Sequence, residues 1–286
     1  MTNNNQKVAT PFPFSVAMSV YCKDNPIFLD RALQSITDKQ KILPSEIVLV
    51  CDGPLCEQLD NTIRKYEKCY PIFNTIRLPE NKGLGNALNI AVSNAKYDLV
   101  ARMDSDDVSV STRFEQQISF FLQHPEVDIV GGDITEFIDD EQNIVGKRCV
   151  PCHDAEIKEY MKTRAAFNHV SVMFKKKAVN DAGGYLDLFW NEDYYLWLRM
   201  QHNNAIFANT GTTLVNVRVG KDMYKRRGGK RYFNSELFLQ KWMLDKRMIG
   251  WFTFLSNVTK RFILQLVLPS NVRGWVFRKF ARRRTQ

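Results

Sequence analysis

The stretch VARMDSDDVS, residues 100–109, gathers carboxylates at the end of an apolar run: Asp104, Asp106 and Asp107 follow residues 99–103, with Arg102 as the only basic neighbour. Carboxylates this close raise one another's pKa unless a positive charge compensates them. Two readings fit the spacing. A helix-cap cluster needs one acid, with Asp107 or Ser109 capping the helix that follows. A hard divalent ion with oxygen ligands needs several, and Mg²⁺ or Mn²⁺ bridging to a diphosphate suits them. The third acid favours the ion.

Such a cluster needs a scaffold, and the flanking sequence supplies an α/β one. Short apolar runs at 15–21, 45–53, 72–78 and 97–103 alternate with segments of helical spacing, among them PIFLDRALQSI, NTIRKYEKC, GLGNALNIAVSNA and STRFEQQISFFLQH. Ser111 or Thr112 is placed to cap the last of these. Near-continuous apolar strands between amphipathic helices imply a parallel sheet covered on both faces. Ligands bind such sheets beyond the carboxyl ends of the strands. Asp24, Asp52 and the 104–107 acids all follow strand ends, so they are expected on one rim. After about residue 125 the alternation loosens, with strands expected at DIVGGDITEFID, HVSVMFKK and TTLVNVRV and a helix at NEDYYLWLRMQ.

Composition narrows the function further. The chain has 286 residues and a formal charge of +9. Residues 246–286 hold ten Lys/Arg and no acid, which leaves 30 basic and 31 acidic side chains in the other 245 residues. The basicity therefore belongs to one surface at the C-terminal end. With no aromatic-basic RNA motif beside it, nucleic acid is not an expected partner. The N-terminal MTNNNQKVATPFPF has no basic start followed by an apolar core, and the six cysteines read as reduced thiols, so a cytoplasmic protein is expected. CVPCH at 149–153 fits a haem-attachment pattern, but haem attachment requires export, and zinc would lack a second Cys pair.

Six segments in order, SVAMSVYCKDNPIFLDRALQSI, SEIVLVCDGP, LPENKGLGNALNIAV, ARMDSDD, NHVSVMFKKKAVNDAGGY and NEDYYLWLRM, make the chain resemble a family 2 glycosyltransferase of the GT-A fold. The similarity is greatest to bacterial enzymes that build O-antigen, capsule or exopolysaccharide units. It implies a Rossmann-like, mostly parallel sheet flanked by helices, with a basic amphipathic helical extension. The expected boundaries are a catalytic domain at 1–232, split into a nucleotide half at about 12–125 and an acceptor half at about 126–232, then a helical segment at 233–286.

The resemblance also implies roles. Asp52, Asp24 and Lys82 would lie against the nucleotide, Asp104 would touch the ribose or the ion, and Asp106 would coordinate the ion, Mn²⁺ or Mg²⁺. In NEDYYLWLRM, Asp193 would take the proton from the acceptor hydroxyl, with Glu192 in support. Both acids would equally suit a helix N-terminus. Trp190 and His169 would line the acceptor side. The implied reaction is inverting transfer of one hexose, from UDP-Glc, UDP-Gal or an N-acetyl form, to a lipid-linked oligosaccharide. A binding protein that has lost catalysis, or a sugar nucleotidyltransferase, are the competing readings.

Two basic segments remain. VRVGKDMYKRRGGKRY, at 217–232, places seven Lys/Arg around Gly-Gly, and Arg226 and Arg227 are the expected contacts to the donor diphosphate. It departs from relatives with a Gln-x-x-Arg-Trp motif, which argues for single-sugar transfer over processive synthesis. In the tail, MIGWFTFL and FILQLVL are split by Lys260 and Arg261, and neither approaches the roughly 20 residues of a span. Aromatic and basic residues together there describe a helix lying on an anionic membrane surface. The expected location is therefore peripheral, on the inner face of the cell membrane.

Overall fold

The computed structural model describes residues 12–220 and 228–269. Arg226, Arg227 and the tail cations past 269 lie outside the described residues.

Strands β1 (Phe14–Val20), β2 (Glu46–Cys51), β3 (Phe73–Arg77) and β4 (Leu99–Met103) pair in parallel in the spatial order β3-β2-β1-β4. Helices α1 (Pro26–Ile36), α2 (Glu57–Cys69) and α3 (Leu84–Asn94) connect them. The strands are apolar at successive positions because both sheet faces are covered. Ala17, Val48 and Val100 enter one core, while Val16, Ile47, Leu49 and Ala101 enter the other. Helix α1 starts where the Asn25 side chain accepts the Ile27 N–H at 2.9 Å, with Pro26 in the first turn.

Beyond β4 the chain forms β5 (Val108–Ser109), α4 (Arg113–Gln123), β6 (Ile129–Phe137), β7 (Ile144–Arg148), α5 (Asp154–Tyr160), β8 (Met173–Lys175), α6 (Lys176–Asp181), α7 (Glu192–His202) and β9 (Phe207–Arg218). The sheet runs β3-β2-β1-β4-β8-β6-β9-β5, with β7 on β6. Strand β8 is antiparallel to both β4 and β6, which joins the strands after residue 125 to those before it through one continuous sheet.

Three local expectations change. Strand β5 separates the acids from α4, so neither Asp107 nor Ser109 caps that helix. Thr112 occupies the cap position without a capping bond; its hydroxyl accepts from Gln116 instead, at 2.7 Å. The strand expected over HVSVMFKK begins only at Met173, because His169–Ser171 is one 3₁₀ turn held by Ser171 Oγ on Asn168 O at 2.8 Å.

Helices α8 (Lys230–Asp245) and α9 (Trp251–Phe262), the latter continued by a π-helical turn at Ile263–Val267, complete the described chain. The expected break at 232/233 falls inside the first turn of α8. Leu239 and Met243 of that helix are fully buried in the same core as Trp197, so α8 belongs to the catalytic body. Among the described residues, no helix is long and apolar enough to cross a membrane.

Candidate active site

The rim is assembled at the carboxyl ends of β1, β2 and β4. Past β1, Asp24 accepts the Ser105 hydroxyl at 2.8 Å and the Tyr21 N–H at 3.1 Å, tying the first loop to the acidic one. Burial raises its pKa, and Asp104 adds to the rise. Past β2, the buried Asp52 carboxylate accepts the N–H groups of Lys82 at 2.7 Å and Gly83 at 3.0 Å. Asn81 donates back to Asp52 O at 3.1 Å. Gly53 permits this closeness: its φ is +90°, and a β-carbon there would sit 2.8 Å from Asn81 N. Asp52 thus shapes the loop that opens α3, while each of its oxygens keeps a lone pair for a ligand. The Lys82 side chain is exposed.

The 104–107 acids surround a buried guanidinium. Arg102 forms an ion pair with Asp104. Burial opposes its charge, but Asp104, Tyr185 and Asp107 outweigh that penalty. Beneath it lies Arg113, fully buried, which donates to Arg102 O at 2.7 Å and Val172 O at 3.3 Å. Burial and the nearby Arg102 push Arg113 down to about 9. Asp107 is buried and accepts the Arg218 N–H at 2.8 Å. Burial and Asp106 raise it well above the usual carboxylate range. Arg218 also donates to Asp106 O at 3.1 Å and lies over the Phe28 ring at 3.9 Å, locking the acidic loop to the end of β9.

Asp106 opens to the rim and is surface-exposed, yet it is pushed up to about 6, by partial loss of hydration first and then by Asp104 and Asp24. An anionic cluster held in that state favours a cation, so the donor set fits a hard divalent ion. No three His, Cys, Asp or Glu among the described residues form a self-contained metal cage. An ion here would rest on one or two carboxylates plus ligand phosphate, the usual habit of Mg²⁺.

The opposite wall is the N-terminus of α7. Burial, then Asp193, raises Glu192 to about 7. Asp193 accepts the neighbouring Tyr194 N–H at 2.7 Å. A β-carbon on Gly85 would lie in ordinary contact with Glu192 Cβ, at 3.5 Å, so the starts of α3 and α7 lie side by side. Tyr185 stands between the halves, within electrostatic reach of Arg102, Asp193, Glu192 and Asp104. Its hydroxyl hydrogen-bonds His169 Nε2 at 2.9 Å. The His169 ring also packs edge-on to Trp197. Burial, reinforced by Arg102, keeps this imidazole neutral, its pKa well below the ordinary value. His169 therefore supports Tyr185 from behind.

Trp190 is 46% exposed and has φ +58°, a conformation bulky side chains rarely adopt. It stacks on Phe189 with ring centroids 4.8 Å apart and meets Tyr232 of α8 at 5.9 Å. An exposed ring held in a strained backbone beside paired acids is a platform suited to a sugar face.

The structure draws Asp24, Asp104, Asp106, Glu192 and Asp193 into one electrostatic neighbourhood, with Asp52 and Lys82 shaping its edge. Sequence reasoning missed Arg102 as the shared counter-charge, Tyr185 as the link between halves, and Arg218 as the clasp. A signal existed for the first: an arginine inside an apolar strand must find partners or stay unburied.

The glycosyl transferase family 2 model matches residues 15–183. An uncharacterized glycosyltransferase of Haemophilus influenzae is 39% identical over 274 residues, covering 94% of this chain and 99% of that protein. The Escherichia coli UDP-Gal:alpha-D-GlcNAc-diphosphoundecaprenol beta-1,3-galactosyltransferase is 36% identical over 272 residues, covering 94% and 97%. Among solved structures, residues 1–349 of Staphylococcus aureus TarS in complex with UDP-GlcNAc align with a TM-score of 0.66 at 16% identity, covering 93% of this chain and 79% of that one.

Proposed function

Because this chain belongs to glycosyl transferase family 2, we propose that it transfers one hexose, with inversion, from a UDP-sugar to a lipid-linked saccharide. UDP-galactose is the preferred donor and a GlcNAc-diphospholipid the preferred acceptor, by likeness to the galactosyltransferase relative. One observation carries the reading: acids of the nucleotide half and the acid pair on α7 share a buried arginine across a single rim.

The nucleotide lies along Asp24, Asp52 and Lys82, with Arg226 and Arg227 contacting the diphosphate. Asp104 and Asp106 would hold a divalent ion, Mn²⁺ or Mg²⁺, which would supply positive charge against the diphosphate. The acceptor sugar rests on Trp190. Its hydroxyl gives a proton to Asp193 and attacks the anomeric carbon from the face opposite the leaving group. UDP departs as the new bond forms. Glu192, raised to about 7, keeps its proton beside Asp193 until near neutrality, which leaves Asp193 as the acid to accept the acceptor's proton.

The protein works peripherally on the cytoplasmic face of an anionic membrane, where such an acceptor is found. UDP release from four UDP-hexoses, each with a GlcNAc-diphospholipid acceptor, tests the donor, and NMR of the product tests the anomer. Retained anomeric configuration would overturn the inverting mechanism.

A further inference from the structure

Helix α9 is inside out for a helix at the edge of a water-soluble body. Such a helix ordinarily buries its apolar stripe. Here the inward positions at four-residue spacing are Asn257, Arg261 and Gln265, with Phe254 the aromatic that packs on the core from this helix. Asn257 donates to Lys162 O at 2.8 Å and Gln240 Oε1 at 2.9 Å. Arg261 pairs with Glu236 and donates to Thr163 O at 2.6 Å. Gln265 O accepts the Gly229 N–H at 3.0 Å. Its polar face thus fixes α9 to the catalytic body in a definite rotation. The outward face carries the large apolar side chains: Trp251 is 65% exposed and Phe252 91%, with Leu255, Phe262, Ile263 and Leu266 exposed behind them and Ser256 and Thr259 between.

That stripe leads toward the site. Phe262 meets Phe233 of α8 edge-on at 5.9 Å, and the adjacent Tyr232 touches Trp190. Two neighbouring residues of α8 therefore link the exposed stripe and the platform beside Glu192 and Asp193, Phe233 on one side and Tyr232 on the other. Lys260 is exposed on α9, and residues 270–286 add six Lys/Arg without an acid. This charge selects the occupant. A second copy would bring cation against cation, whereas an anionic leaflet receives both the rings and the charges.

We infer that the outward face of α9 and its π-helical turn lies in the bilayer interface, and that α8, held to α9 by Phe233 on Phe262 and to Trp190 by Tyr232, sets Trp190 at headgroup level. The acceptor's lipid then stays in the leaflet while its sugar reaches the platform. The inference rests on the lipid-linked acceptor proposed above, but its first readout is independent of that reading.

The test is cosedimentation of the full chain with vesicles of phosphatidylglycerol and phosphatidylcholine, compared with Phe252→Ser and with the triple variant Trp251→Ser/Phe252→Ser/Leu255→Ser. Wild type should pellet at low salt. Phe252→Ser should bind several-fold more weakly and the triple variant at least tenfold more weakly, both with unchanged melting curves. Turnover of a short, water-soluble acceptor should persist in both, while turnover of a vesicle-embedded acceptor falls in parallel with binding. Wild-type protein in the supernatant, or variants that pellet like wild type, would overturn the inference. So would a lipid-free dimer in the ultracentrifuge that the triple variant dissolves. Absence of turnover with every acceptor would sink the proposed reaction and leave the vesicle result standing.

Discussion

Arg102 and Asp104, two residues apart where β4 ends, form an ion pair in which the guanidinium is 3% exposed and the carboxylate 32%. The cation is thereby sealed beneath acids that open toward the rim. Its charge also reaches Asp106, Asp107, Glu192 and Tyr185. Removing one partner of a buried pair typically costs about 3–5 kcal/mol. Arg102→Met should approach that loss in denaturant unfolding, and a cost under about 1 kcal/mol would show that the pair is incidental.

Divalent-ion dependence is expected to reside in the same loop. Asp106→Ala should lower turnover by roughly 10² or more with the circular dichroism spectrum preserved. Full activity in excess EDTA would remove the ion from the reaction.

Glu192 gives two pH signatures of opposite sense. The wild-type rate should climb through pH 7 as Glu192 ionises beside Asp193, and Asp193→Asn should cut kcat by about 10² or more. Stability should move the other way. The folded protein holds the Glu192 proton up to about 7 against an ordinary value of 4.5, so stability is lost as pH rises through that interval. Glu192→Gln should therefore melt higher than wild type at pH 8 and not at pH 4. Equal melting temperatures at pH 8 would mean that the carboxyl is not strained.

Asp52→Ala strands the N–H groups of Lys82 and Gly83. Each lost hydrogen bond costs about 1 kcal/mol, so the variant should melt lower and its donor KM should rise. An unchanged donor KM would confine Asp52 to a purely structural part.

Trp190 separates strain from contact. Trp190→Ala and Trp190→Gly both remove the platform and should raise the acceptor KM about tenfold while leaving donor hydrolysis intact. Only glycine relaxes φ +58°, so it should be the more stable variant by about 1 kcal/mol. An acceptor KM that stays at the wild-type value in both would take the sugar off Trp190.

The strand-helix alternation of the first half was legible because each strand is apolar along its length and each connection carries helical spacing. The acid positions were legible for the same reason, since they follow directly on strand ends. Interactions across the sheet were not. Asp107 looks like a cap until β5 comes between it and α4, and Tyr185 looks like a core aromatic until β8 brings it beside Arg102. The rotation of α9 is likewise invisible in composition, because it depends on Asn257 finding Lys162 and Gln240.

The family match ends at residue 183, yet the acid pair, the aromatic platform and α8 all follow it. Ser235 of α8 bonds Phe189 O at 2.8 Å and Asn191 Nδ2 at 2.9 Å, so the later segment grips its own loop. This division gives evolution a seam. Recombination near residue 184 exchanges the acid pair, the platform and α8 together, while Asp24, Asp52, Lys82, Asp104 and Asp106 stay with the first parent and the Arg218 clasp passes to the second. Chimaeras of two relatives joined there should keep the donor of their first parent and take the acceptor of their second.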